Sequence, residues 1–390
     1  MVIWLSSSTT RADVTVSTLT FVGEIPEGAG AATVTVDGKS VSVGADRTFE
    51  AEVSVPAGST SVSFDVVASY GGKDHTRHVT MKVEDRGPPI TGLDVSAAEL
   101  RSFLGGPGIL VWVDAGGQIR VLDLRAATPQ VSLLSGDVSL INPRISPDGT
   151  RVVYSQGSPE GTKQILVRSL AGGDAQTVSS GDIGYWYFGN GGEYVIYSDW
   201  SPKAENGAGR NTYRQQLVTG GIALSGSRTT IHNRAMDAGS NATLTWLGQV
   251  YESPYAYNME TATEYPPSKF FLMDGDVAAQ QTCNGSMAPD GSSRIMLLVI
   301  PHDWVRIFSY KAAGDRFEET SRFSLPSRLS EWEFPEWSTH PGYFTAVFRS
   351  GGLNLRLYVA KIVEGQRVPE MLAVTSWDTS VSFSHLYVGP

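Results

Sequence analysis

The chain has a single cysteine, Cys283, among 390 residues, so it can form no internal disulfide and no cysteine-rich metal site. It has no apolar run near the roughly 18 residues that a spanning helix needs. Met1-Val2-Ile3-Trp4-Leu5 is shorter than the roughly 7–15 apolar residues of a secretory signal. Either a signal was removed before this numbering begins or the start is artificial. Positive charge is scarce: 30 Lys and Arg face 40 Asp and Glu, a net charge of −10. Nucleic acid and anionic membrane surfaces need a concentrated basic field, so the charge argues against the first and disfavours the second. No Gly-x-Ser-x-Gly elbow or phosphate-cradling loop occurs, which argues against a serine hydrolase or nucleotide enzyme.

What is present is repetition. Ile145-Ser146-Pro147-Asp148-Gly149-Thr150-Arg151-Val152-Val153-Tyr154 returns as Met287-Ala288-Pro289-Asp290-Gly291-Ser292-Ser293-Arg294-Ile295-Met296. A degenerate copy follows at Trp337-Ser338-Thr339-His340-Pro341-Gly342-Tyr343-Phe344. Each copy is an apolar stub, a Pro-containing turn and a second apolar strand. Recurrence of such a unit marks a repeat architecture, and four strands in about 40–50 residues read as a propeller blade. With 42 Gly, 20 Pro and 41% hydrophobic residues, an all-β chain with a packed core is expected.

Residues 1–12 are an apolar arm, with Val2, Ile3, Trp4 and Leu5 on a Ser/Thr tether. Residues 13–85 alternate with a period of two: Val34 and Val36, Phe49, Ala51 and Val53, Phe64 and Val66. That is the pattern of half-buried strands, with Asp37-Gly38 and Gly71-Gly72 as hairpin turns. A parity change near Ser17–Thr18 predicts a bulge or a strand switch. The run Val34-Thr35-Val36-Asp37-Gly38, with Val55-Pro56-Ala57-Gly58 and Val62-Ser63-Phe64, resembles the small immunoglobulin-like domains of bacterial surface and secreted proteins. The resemblance implies a β-sandwich acting as spacer or adhesive module.

Residues 86–108 form a linker opened by Arg86-Gly87-Pro88-Pro89. Ser96 and Glu99 form a capping box for a short helix ended by Gly105-Gly106. From 109 to 390 six blades are expected, the first short of one strand and the fourth, about 234–275, the least regular. The strand-like tail Val381–Val388 is expected to close the first blade. Asn142-Pro143-Arg144-Ile145-Ser146-Pro147-Asp148-Gly149, Gln164-Ile165-Leu166-Val167 and Leu170-Ala171-Gly172-Gly173 resemble the TolB-like, WD40-like propeller repeat. That resemblance implies a bacterial envelope or secreted protein, in a group made mostly of interaction platforms and including some enzymes.

Asp148 and Asp290 sit between Pro and Gly, where Asp accepts local amide bonds and Gly takes a positive φ; they read as turn residues. His232, His302, His340 and His385 fall in four segments with no tight ligand spacing, so no metal and no cofactor is expected. Cys283 is expected to be a small buried residue. Aromatics cluster at Tyr185-Trp186-Tyr187-Phe188 and at Trp332, Phe334 and Trp337. Most should wedge between sheets, while Trp186 and Trp337 are candidates for stacking on a sugar.

The expectation is therefore a non-enzymatic extracellular or cell-surface protein. Its candidate contacts are Val2, Ile3, Trp4, Leu5, Trp186 and Trp337. Its partners would be other copies of itself, in a filament or tube built by strand addition, or other envelope proteins. A polysaccharide-binding or carbohydrate-active propeller and a periplasmic TolB-like module are the alternatives.

Overall fold

The computed structural model describes residues 2–4, 16–26, 31–44, 47–56, 61–82, 90–157, 163–189, 191–199, 211–233, 246–250, 253–259, 261–276, 278, 282–300, 302–324, 331–350, 354–363, 368–376 and 380–389. The chain divides into two compact units, Met1–Arg86 and Gly87–Pro390. No helix among the described residues is long and apolar enough to cross a membrane.

The first unit holds two antiparallel sheets. One orders Val2–Trp4, Val16–Glu24 and Thr48–Pro56; the other orders Lys39–Val41, Thr33–Val36, Ser61–Tyr70 and Lys73–Lys82. The period of two places Val34 and Val36 from one sheet against Phe49 and Val53 from the other in a single apolar core, joined by Phe64 and Val66. Each such burial contributes about 1.5–3 kcal/mol. Both hairpin turns form as the residues dictate. Asp37 and Gly38 have φ of 49° and 75°, Gly71 and Gly72 of 60° and 73°, which matches the twist of the flanking strands.

The bulge expected near Ser17–Thr18 is not there. Val16–Glu24 pairs with Thr48–Pro56 without a break in register, from Val16 opposite Pro56 to Glu24 opposite Thr48. An uninterrupted ladder on Thr48–Pro56 overrides the parity signal.

In the second unit six sheets follow one another along the chain. Each packs on the next, and the sixth packs back on the first through the tail strand Ser382–Val388. That strand pairs antiparallel with Gly108–Val113 and supplies the strand the first sheet lacks. The second, third and sixth sheets each have four strands in chain order. The fourth has three among the described residues: Trp246–Val250, Ser253–Asn258 and Thr263–Tyr265. Phe270–Phe271 was counted with the fourth repeat in the sequence. It lies instead parallel to Arg316–Ser324, as the outer strand of the fifth sheet. The rings of Phe270 and Phe317 stack there at 4.8 Å, and that apolar contact decides where the segment goes.

The helix forms at Ala97–Leu104, with the Ser96 hydroxyl accepting from the Glu99 amide and Gly105 closing it at φ 72°. It is not a free connector. Leu100 and Leu104 are buried with Tyr343, Leu357 and Val374 of the sixth sheet, and the Tyr343 hydroxyl donates to the Phe103 carbonyl at 3.2 Å.

Candidate functional site

The strand nearest the middle of the ring has an interrupted register in every one of the six sheets. The interruptions fall at Ile141/Arg144, Asp182/Tyr185, Gly248/Val250, Cys283/Gly285, Glu333/Glu336 and Ser382/Ser384. Asn142, Ile183, Phe334 and Phe383 take positive φ there, at 52°, 53°, 47° and 39°. A β-branched or aromatic residue in that region is strained, and bulges of this kind re-aim side chains. The re-aimed Phe334 and Phe383 rings meet at 4.2 Å.

Below those bulges a buried polar network joins five of the six sheets. Arg144 of the second pairs with Glu336 of the sixth, both nearly enclosed. Ser286 of the fifth donates to Glu336 at 2.7 Å and accepts from the Trp337 amide at 2.9 Å. The Arg144 guanidinium lies 4.4 Å from the centre of the Tyr185 ring of the third, whose Trp186 indole donates to the Arg144 carbonyl at 2.8 Å. His385 of the first accepts at Nδ1 from the Ile145 amide at 3.2 Å. Burial, then the neighbouring Arg144 charge, push its pKa down to about 3, so the ring is neutral. Burial pushes the Glu336 carboxyl up, and Arg144 and Ser286 partly offset this. Pairing with Glu336 offsets the cost of enclosing the Arg144 charge, although its Nε finds no hydrogen-bond partner among the described residues.

The repeated turn phrase builds a second arrangement. Asp148 accepts from the Thr150 amide at 3.0 Å and bonds Arg151 at 2.7 Å, while Gly149 takes φ 67°. Arg151, 2% exposed, also meets Glu193 at 2.6 Å and the Gly221 carbonyl at 2.7 Å, both on the third sheet. Its guanidinium sits 5.1 Å from the Trp186 ring. In the later copy Asp290 bonds Arg294 at 2.8 Å, and Arg294 lies 5.1 Å from the Trp337 ring of the sixth sheet. Both aspartates therefore act as turn residues.

Trp186 and Trp337 are only 3% and 0% exposed, so neither offers a ring face to a sugar. Each is the receiving surface of an arginine from the preceding sheet, and the stacking role expected of them is withdrawn. The Trp337 indole donates to the Pro341 carbonyl at 3.1 Å.

The four histidines do not gather. His232 lies 4.5 Å from the Tyr257 ring and 3.4 Å from Glu264. His340 closes a turn, accepting from the Gly342 amide at 3.0 Å. His302, in the turn between two strands of the fifth sheet, stands instead beside Glu331 and Glu333 at the head of the sixth. Arg349 bonds Glu333 at 2.9 Å and approaches Glu331 at 3.5 Å. Sequence reasoning compared histidines only with each other. The available signal was Glu-x-Glu on a strand, which sets two carboxylates on one face.

Val2, Ile3 and Trp4 form a strand opposite Glu24, Gly23 and Val22 of the same chain. Leu5, the insertion 201–210 and the Cys283 side chain lie outside the described residues. A pocket of about 330 Å³ opens at the heads of the first, second and sixth sheets, lined by Asp114, Ser139, Ile141, Leu355 and Ser382. Asp114 is already bonded there to Arg120 at 2.6 Å, so the pocket has shape more than reactivity.

No family model matches the chain, and no curated protein matches it. Among solved structures it is similar to TolB from Acinetobacter baumannii, at 16% identity over 83% of this chain and 79% of that one, TM-score 0.48. It is also similar to a periplasmic gluconolactonase from Pseudomonas aeruginosa, at 11% identity over 69% and 83%, TM-score 0.42. A third likeness is the propeller domain of the Trilobed protease from Pyrococcus furiosus, at 8% identity over 96% and 99%, TM-score 0.40. All three lie below 0.5, and the propeller reading rests on the sheet order above.

Proposed function

We propose that this chain is a non-enzymatic interaction protein of the bacterial cell surface or periplasm. It joins an immunoglobulin-like sandwich to a six-bladed TolB-like propeller and works through protein–protein contacts, including contacts with its own copies. The observation that carries this reading is the strand made by Val2–Trp4. It adds antiparallel to the edge of Val16–Glu24, and backbone pairing of this kind forms equally well with a neighbouring subunit.

One edge of the other sheet, Lys73–Lys82, is guarded against pairing. Lys73, His75 and Arg77 sit opposite Tyr70, Ala68 and Val66 and so on the core-facing side of the edge strand, yet they remain exposed. Charges placed there discourage the addition of a further strand. The arm is thus the route by which copies join, and exchange that does not close yields filaments. The polysaccharide reading is the weaker one, since both proposed stacking rings are enclosed. Size-exclusion chromatography with negative-stain microscopy tests the proposal on the full chain and on a variant lacking residues 1–10. Assemblies that collapse to monomer in the shortened chain support it. Monomers in both, or unchanged assemblies, refute the arm's role.

A further inference from the structure

We propose that His302, Glu331 and Glu333 bind a divalent transition-metal ion, zinc or manganese, at the seam between the fifth and sixth sheets. One donor atom from each lies within 4.8 Å of the other two. The centre of such a triangle is at most about 2.8 Å from every donor. Metal–nitrogen and metal–oxygen bonds run about 2.0–2.2 Å, so side-chain shifts of well under 1 Å complete the contacts. An imidazole with two carboxylates favours such an ion over calcium or magnesium, which prefer oxygen alone.

The seam holds these donors in place. The Trp332 amide, between the two glutamates, donates to the His302 carbonyl at 2.8 Å and ties the turn to the strand. Glu331 and Glu333 project from one face of Glu331–Trp337. The Glu333 side chain is 8% exposed and His302 23%, whereas Glu331 at 39% leaves one side open for water ligands. Glu331 and Glu333 set two carboxylates beside the single Arg349 guanidinium, so the donor set presents oxygen ligands suited to a divalent cation. Arg349 holds the same oxygens and has to turn aside for the ion to enter.

Isothermal titration of chelator-treated full chain with zinc chloride and with manganese chloride tests the site. One ion per chain at micromolar affinity is expected. His302→Ala and Glu331→Gln should each weaken binding at least tenfold, with the fold checked by circular dichroism. His340→Ala should bind as the wild type does, and Arg349→Met more tightly. X-ray absorption on the loaded protein should show one imidazole nitrogen among oxygen ligands. A wild type that takes up neither ion at millimolar concentration overturns the proposal, as does wild-type binding by both His302→Ala and Glu331→Gln.

Discussion

The Arg294 guanidinium lies 5.1 Å from the centre of the Trp337 ring, the same distance that separates Arg151 from Trp186. Each arginine is oriented by the aspartate of its own Pro-Asp-Gly turn, and each tryptophan belongs to the innermost strand of the following sheet. The repeated phrase is thus a fastener between neighbouring sheets as well as a turn. The degenerate third copy has neither aspartate nor arginine, and the sheet after it is the one completed by the tail strand.

Removal of one receiving ring isolates its contribution. Trp337→Ala should lower stability by about 3–5 kcal/mol, as for other enclosed aromatic deletions. Urea unfolding followed by fluorescence measures it. A loss under 1 kcal/mol contradicts the packing described.

The pair Arg144 and Glu336 should behave as a coupled unit. Glu336→Gln alone leaves an enclosed guanidinium unbalanced and should cost about 3–5 kcal/mol. The double variant Arg144→Met with Glu336→Leu should recover most of that loss. A double-mutant cycle of Arg144→Met, Glu336→Leu and their combination, followed by chemical denaturation, reads the coupling; simple additivity would show that the pair does not interact.

His385 predicts a pH dependence with a definite sign. Its pKa falls from 6.5 to about 3 on folding. A base depressed in this way stabilises fully above pH 6.5 and progressively less as pH drops toward 3, by up to about 1.4 kcal/mol per pH unit. Glu336, shifted upward, acts in the opposite direction above its ordinary value of 4.5. The comparison is therefore with His385→Gln, which keeps an acceptor for Ile145. Between pH 6.5 and 5 the wild type should lose stability faster than this variant; equal slopes would place His385 in contact with solvent.

Two turn glycines make a matched pair. A methyl on Gly149 would meet the Tyr387 ring at 2.7 Å, whereas one on Gly291 meets nothing within 4 Å. Both have positive φ, 67° and 71°, so each Ala variant should lose about 1–2 kcal/mol from the backbone alone. Gly149→Ala should lose measurably more in thermal unfolding. Equal losses would mean the Tyr387 ring does not cover that turn.

Features set by neighbours in the chain were legible beforehand. Asp37-Gly38, Gly71-Gly72, the Ser96 cap and both Pro-Asp-Gly turns follow from local hydrogen bonding and backbone sterics. The tail strand's place was legible because an open first sheet needs a partner. The buried network was not, since Arg144 and Glu336 are 192 residues apart and the repeat phrase that holds Arg144 gives no sign of its partner. Ile183, Phe334 and Phe383 gave no sign of positive φ, because none is a residue type that favours it. Trp186 and Trp337 read as stacking candidates because the arginines that cover them, Arg151 and Arg294, lie on the preceding sheet, where no local pattern pairs them.

The tail strand also imposes an order of events. Gly108, which opens the first sheet, finds its cross-strand partner on one side in Val388, far along the chain. During synthesis the edge Gly108–Val113 must therefore wait, bare, while five further sheets emerge from the ribosome. A stop codon anywhere before Ser382 leaves it bare for good, so nonsense truncations close to the carboxyl end should aggregate as badly as early ones.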